Sequence, residues 1–184
     1  MAYTLNPQFA GLMPITGIDT GVIPPNNFNT GSTTRVPSSP MQPGMIVSAT
    51  DPTYGNGEFI LLLGVSSTVV GSLVKYNSTS YATALPTHVP VQAVPVAVSM
   101  SANTTSTSWS WYQIEGLAVI KKTAVQFTPQ VTIALSATAG RVKGTSTSGL
   151  QVVGARSANT GTVTTTTSTI TVLINRPHLQ SQVT

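Results

Sequence analysis

The spacing of apolar and polar residues changes character near residue 45. From Met45 onward apolar residues alternate with polar ones, a period of two that predicts half-buried strands. Val131, Ile133 and Leu135 alternate with Thr132 and Ala134, and Ile170, Val172 and Ile174 with Thr169, Thr171 and Leu173. Glu58 to Leu63 is apolar on both faces, which predicts a central strand. Val69 to Tyr76 follows a Ser66-Ser67-Thr68 break. Val91 to Met100 places Val94, Val96, Val98 and Met100 on one face, with Pro95 at an edge or bulge position. Trp109 to Glu115 and Gly116 to Lys122 form one long strand or a bulged pair, kinked at Gly116. Gly140 to Lys143, Leu150 to Arg156 and Thr169 to Asn175 complete the series. Roughly eight strands with Gly, Ser, Thr and Asn turns, and no window of helical period, predict an all-β domain, a sandwich or small closed barrel.

Residues 1–45 read differently. Seven prolines (Pro7, Pro14, Pro24, Pro25, Pro37, Pro40 and Pro43) exclude a long helix, because each removes a backbone donor and fixes φ. Yet Tyr3, Leu5, Phe9, Leu12, Met13, Ile15, Ile18, Val22, Ile23 and Phe28 recur through the segment, and only Asp19 and Arg35 are charged. Burying these side chains falls well short of the entropy lost in ordering the backbone. The segment therefore reads as a long extended arm that orders by lying on another surface, a neighbouring subunit or its own domain. The expected organisation is an arm over 1–45 and an all-β domain over 46–184, whose last strand stops at Arg176-Pro177 to leave a short tail over 175–184.

Composition narrows the partners. Charged residues make up 7% of the chain, where a soluble domain typically carries about 25%. Neutral hydroxyls and amides take their place, and such a surface is cheap to desolvate against another protein. The net charge is +4, but Lys121-Lys122 is the only basic run, so nucleic-acid binding is not expected. The chain has no cysteine, which excludes disulfides and thiolate metal sites. No apolar run is long enough for a membrane helix. The start, Met1 to Pro7, lacks the pattern of a signal peptide, so synthesis in a host cytoplasm without ordinary export is expected.

Candidate chemistry is sparse. Asp19, Asp51, Glu58 and Glu115 are the only carboxylates, none close to another in sequence. His88 and His178 stand in proline-containing, loop-like sequence without a third ligand, a poor metal site. No nucleophile elbow, phosphate loop or dinucleotide fingerprint occurs. The expectation is a protein without enzyme activity, cofactor or metal. Asn77-Ser78-Thr79 and Asn103-Thr104-Thr105 match the glycosylation sequon, as chance allows in a chain so rich in Ser and Thr. The stretch from Ser157 to Ser168 reads as strand and turn. Trp109 and Trp111 share one strand face beside Gln113 and Glu115, with Tyr112 and Ile114 opposite. Three readings stay open for them: core, subunit-interface anchor, or sugar-stacking platform.

Trp111-Tyr112-Gln113-Ile114-Glu115-Gly116-Leu117-Ala118-Val119-Ile120-Lys121 resembles a segment of phage head decoration and capsid cement proteins. Leu135 to Val142, Val153-Gly154-Ala155-Arg156 and Val172-Leu173-Ile174-Asn175-Arg176-Pro177 resemble the same group. The likeness covers residues 90 to 184. It implies a β-barrel-like or β-tulip-like domain on the outer capsid surface, often a homotrimer, with the major capsid protein as partner and no membrane contact. Contacts are then expected from the arm (Tyr3, Leu5, Phe9, Leu12, Ile15, Ile18, Val22, Ile23, Phe28 and Arg35) and from Trp109, Trp111, Arg156 and Arg176. The alternative is a head-fibre base, tail component or glycan-binding receptor module of a virion.

Overall fold

The computed structural model describes residues 3–6, 17–18, 43–88, 93–145 and 148–180. Every regular element among them is a strand: β1 (Thr4–Asn6), β2 (Gly17–Ile18), β3 (Ile46–Asp51), β4 (Gly55–Leu63), β5 (Leu73–Tyr76), β6 (Thr83–Ala84), β7 (Val96–Ser99), β8 (Trp109–Lys121), β9 (Thr132–Leu135), β10 (Val142–Lys143), β11 (Gln151–Ser157) and β12 (Thr169–Leu179). They join in one antiparallel sheet, curled into a half-barrel, with the order β1-β3-β4-β8-β12-β11-β9-β10. Off this path, β2 and β7 pair with β8, and β5 pairs with β7 and β6.

Strand β8 is the spine. One of its edges holds β4 from Trp109 to Gly116. The opposite edge takes β2 at Trp109 and Ser110, β7 at Tyr112 and Gln113, and β12 from Glu115 to Lys121. A bulge lies in the middle, because Glu58 faces Glu115 while Phe59 faces Gln113, leaving Ile114 as the extra residue. Gly116 beside it has φ +99, and a Cβ there would stand 2.4 Å from the Asn56 carbonyl oxygen. Only glycine fits so close to the neighbouring backbone, which is the kink the sequence placed at this residue.

Beyond the bulge the sheet curls until Val142 of β10 reaches Lys122 at the end of β8 in a parallel bridge. The Thr123 N–H donates to the Val142 carbonyl at 3.0 Å. Inside this curl lies an aliphatic core that includes Leu73, Val98, Ile120, Ile133, Leu135, Leu150, Val172 and Ile174, with Phe127. The alternation expected for Ile170, Val172 and Ile174 is therefore observed. At the other end both faces of β4 and β8 are covered. Phe59, Leu61, Trp109 and Trp111 pack on one face; Ile60, Leu62, Tyr112 and Ile114 pack on the other against Val74 and Ala97.

Several expectations need correction. Arg176-Pro177 does not stop the last strand; β12 continues to Leu179. Pro177 is tolerated because β11 slips register between Val153 and Ala155, so no ladder hydrogen bond is required opposite the slip. Arg176 adopts φ 41 at the same place. The expected tail thus contributes strand up to Leu179, and residues 181–184 lie outside the described residues. Residues 158–168 are loop with a single bridge, Val163 to Phe127, not a strand. Val69 and Val70 are exposed in a turn, and β5 begins only at Leu73. His178 is exposed on β12, not in a loop.

Candidate functional site

Two described pieces of the N-terminal segment lie on the chain's own sheet. Thr4, Leu5 and Asn6 pair with Thr50, Ala49 and Ser48 of β3. Gly17 and Ile18 pair with Ser110 and Trp109 of β8. Of the two surfaces expected for the arm, a neighbouring subunit or its own domain, these described residues lie on its own domain, as strands of the sheet. Tyr3 fastens the segment further: its ring meets Phe59 edge-on with centroids 4.6 Å apart, and its hydroxyl donates to the Leu117 carbonyl at 3.1 Å. Burial pushes the phenol up to about 12, since leaving water disfavours the phenolate. Phe9, Leu12, Ile15, Val22, Ile23, Phe28 and Arg35 lie outside the described residues, as do the side chains of Leu5 and Ile18.

Trp109 and Trp111 are 5% and 1% exposed. They pack with Phe59, Leu61, Ala49 and Met100, and Tyr3 joins them. A solvent-facing sugar platform on these two rings is not what the structure holds. Among the described residues both indole N–H groups lack a hydrogen-bond partner, as does Gln113 Oε1 on the same strand face. Gln113 is fully buried and spends its amide N–H groups on the carbonyls of Glu115 and Leu117, at 3.1 and 3.0 Å. It thereby holds the backbone around the Gly116 kink.

The carboxylates among the described residues have structural duties. Asp51 is buried, and its Oδ1 accepts the N–H groups of Thr53 and Tyr54 at 2.7 and 3.0 Å, fixing the β3–β4 turn. Glu58 and Glu115 sit directly opposite on β4 and β8, where like charges repel. Arg176, reaching from β12, relieves this: it bonds to Glu58 and lies 3.9 Å from Glu115. Arg156 is exposed beside a shallow cleft with Gly154, Leu173 and Asn175, and no ion-pair partner stands near it among the described residues. The structure brings Tyr3, Trp109 and Trp111 together, and places Arg156 and Arg176 on adjoining strands away from them.

Two arrangements escaped the sequence reading. Lys122 is 1% exposed, so Lys121-Lys122 is not a basic surface run. Its ammonium donates to the carbonyls of Thr123 and Val125, at 3.2 and 2.8 Å, and burial lowers its pKa. Neighbouring charge in sequence gave no sign that one lysine turns inward at the barrel seam. The second is a buried polar trio behind the Trp face. Ser110 Oγ donates to Asn103 Oδ1 at 2.8 Å, and Asn103 Nδ2 donates to the Tyr112 hydroxyl at 3.0 Å. Burial raises the Tyr112 pKa. Alternation placed Ser110 and Tyr112 on one face but could not reveal that a loop residue, Asn103, completes them.

No family model, curated protein or solved structure matches this chain.

Proposed function

We propose that this chain is a structural protein of a phage particle, which binds the outer capsid surface and cements neighbouring capsomers as a trimer. The observation that supports it is the nature of the exposed loops. Residues 77–80, 104–107 and 164–168 are exposed and consist of Ser, Thr and Asn, presented by a rigid all-β body. Neutral hydroxyls and an amide lose little when desolvated against a large protein surface, compared with ammonium or carboxylate groups. The duties of Asp51, Glu58 and Glu115 fit a chain that works by contact. The partner is the major capsid protein, and the 24-residue stretch from Asp19 to Gln42, tethered to the body at both ends, is the proposed capsid-contacting element, together with Arg156.

The test is saturable binding. Purified protein is titrated onto heads lacking it, and bound and free protein are separated by sedimentation. The expected result is a plateau at a fixed copy number per head. Deleting residues 19–42, with a short flexible linker keeping β1 and β2 attached, should lower occupancy sharply while the far-UV spectrum stays that of a β protein. Binding that never saturates, or that is equal for the deletion variant, contradicts the proposal.

A further inference from the structure

A trough of about 420 Å³ lies on the outer face of the half-barrel. Its floor is Val119 of β8 with Thr169, Ile170 and Thr171 of β12. One wall is Tyr54, from the β3–β4 turn that Asp51 holds; the other is the loop carrying Asn159, Thr162, Thr164 and Thr167.

The lining chemistry is selective. No charged side chain takes part, so an ionic ligand finds no counter-charge. The floor strands are paired with each other, Thr171 with Val119 and Thr169 with Lys121, so their backbone groups are committed and strand addition by a peptide is not on offer. What remains is one aromatic ring, apolar patches and hydroxyls. The Thr162, Thr169 and Thr171 hydroxyls make no hydrogen bond to another described residue. Asn159 is held in place, its Oδ1 accepting the Thr171 N–H at 3.1 Å and its Nδ2 donating to Ser157 Oγ at 2.9 Å. Hydroxyls both donate and accept, which is the pattern a sugar ring edge presents, while its C–H face suits an aromatic and aliphatic surface. The volume falls in the range of small-ligand clefts, about 300–1,000 Å³.

We infer that this trough is a binding site for a neutral saccharide, with the sugar face against the Tyr54 wall and the Thr162, Thr169 and Thr171 hydroxyls along its edge. The site is shallow, so single-site affinity is weak, with Kd about 1 mM or above. It stands independently of the capsid reading; on a repeated lattice many copies would bind a glycan surface avidly.

The test is an NMR titration of the full-length protein with maltose, lactose and N,N′-diacetylchitobiose, with glucuronate as a charged control. The expected result is saturable amide shifts confined to residues around Tyr54, Val119 and 159–171 for at least one neutral sugar. Tyr54→Ala should abolish them, and Thr171→Val, which keeps the side-chain shape, should weaken binding severalfold. Unchanged shifts of the barrel amides in both variants establish that they are folded. Three outcomes overturn the inference: no saturable shift with any neutral sugar, shifts that map elsewhere, or a response to glucuronate alone. Shifts at the trough that depend on protein concentration without sugar also overturn it, assigning the face to a second copy of the chain.

Discussion

The two ends of β8 serve differently built regions. Past the Gly116 kink, the half-barrel core is aliphatic with one phenylalanine. The buried charge among its described residues, Lys122, has two carbonyl acceptors. Before the kink, the sheet packs tryptophan, tyrosine and phenylalanine. Among the described residues, the buried side-chain atoms without a partner belong there: Ser101 Oγ, Trp109 Nε1, Trp111 Nε1 and Gln113 Oε1. An unpaired buried donor or acceptor costs about 1–3 kcal/mol. Among the described residues, then, the half-barrel pairs its buried side-chain donors and acceptors, whereas the Trp end, where β1 and β2 attach, does not.

The contrast can be broken by substitution. Leu135→Ala, in the dry core, should cost about 2–5 kcal/mol of unfolding free energy in urea titrations, with a cooperative transition. Trp111→Phe should cost clearly less despite the larger residue, because losing the indole also removes an orphaned N–H. Equal or reversed losses would erase the distinction between the two regions.

Tyr3→Phe sharpens the comparison at the junction. At neutral pH the lost hydrogen bond should cost about 0.5–1.5 kcal/mol. The folded phenol titrates near 12 against 10 unfolded. Below pH 10 its stabilisation is fully present; as pH rises from 10 towards 12 the unfolded chain releases the proton first and stability falls. The variant lacks this loss, so the gap between the two proteins should narrow in urea midpoints measured at about pH 11. A gap that widens would show that Tyr3 is not clasped to the body.

The smallest effect is expected on the surface. Arg176 is 58% exposed, so Arg176→Ala should change stability by about 0–1 kcal/mol, and less in high salt. A larger loss would mean that the repulsion between Glu58 and Glu115 is poorly screened.

Much of this fold was legible because period-two alternation is a local signal. Ile133 and Leu135, or Ile170, Val172 and Ile174, announce their strand faces unaided, and Gly116 marks its bulge. Boundaries failed where pairing decides them: Pro177 ended the last strand on paper, but the slip in β11 opposite it removes the need for its N–H. The Thr-rich stretch after Ser157 has strand propensity yet forms a loop, because propensity yields to the packing available. The sites were less legible. Asn103 meeting Tyr112, Arg176 bridging two glutamates, and Tyr54 facing the 159–167 loop all join residues far apart in sequence, and only the sheet topology unites them.

The central claim, that this chain acts by coating a shell, is tested most directly by reconstructing virions with and without it. The account predicts difference density on the outer lattice, at repeated positions between capsomers, into which the half-barrel fits. Density confined to the tail, or none on the particle at all, would contradict it.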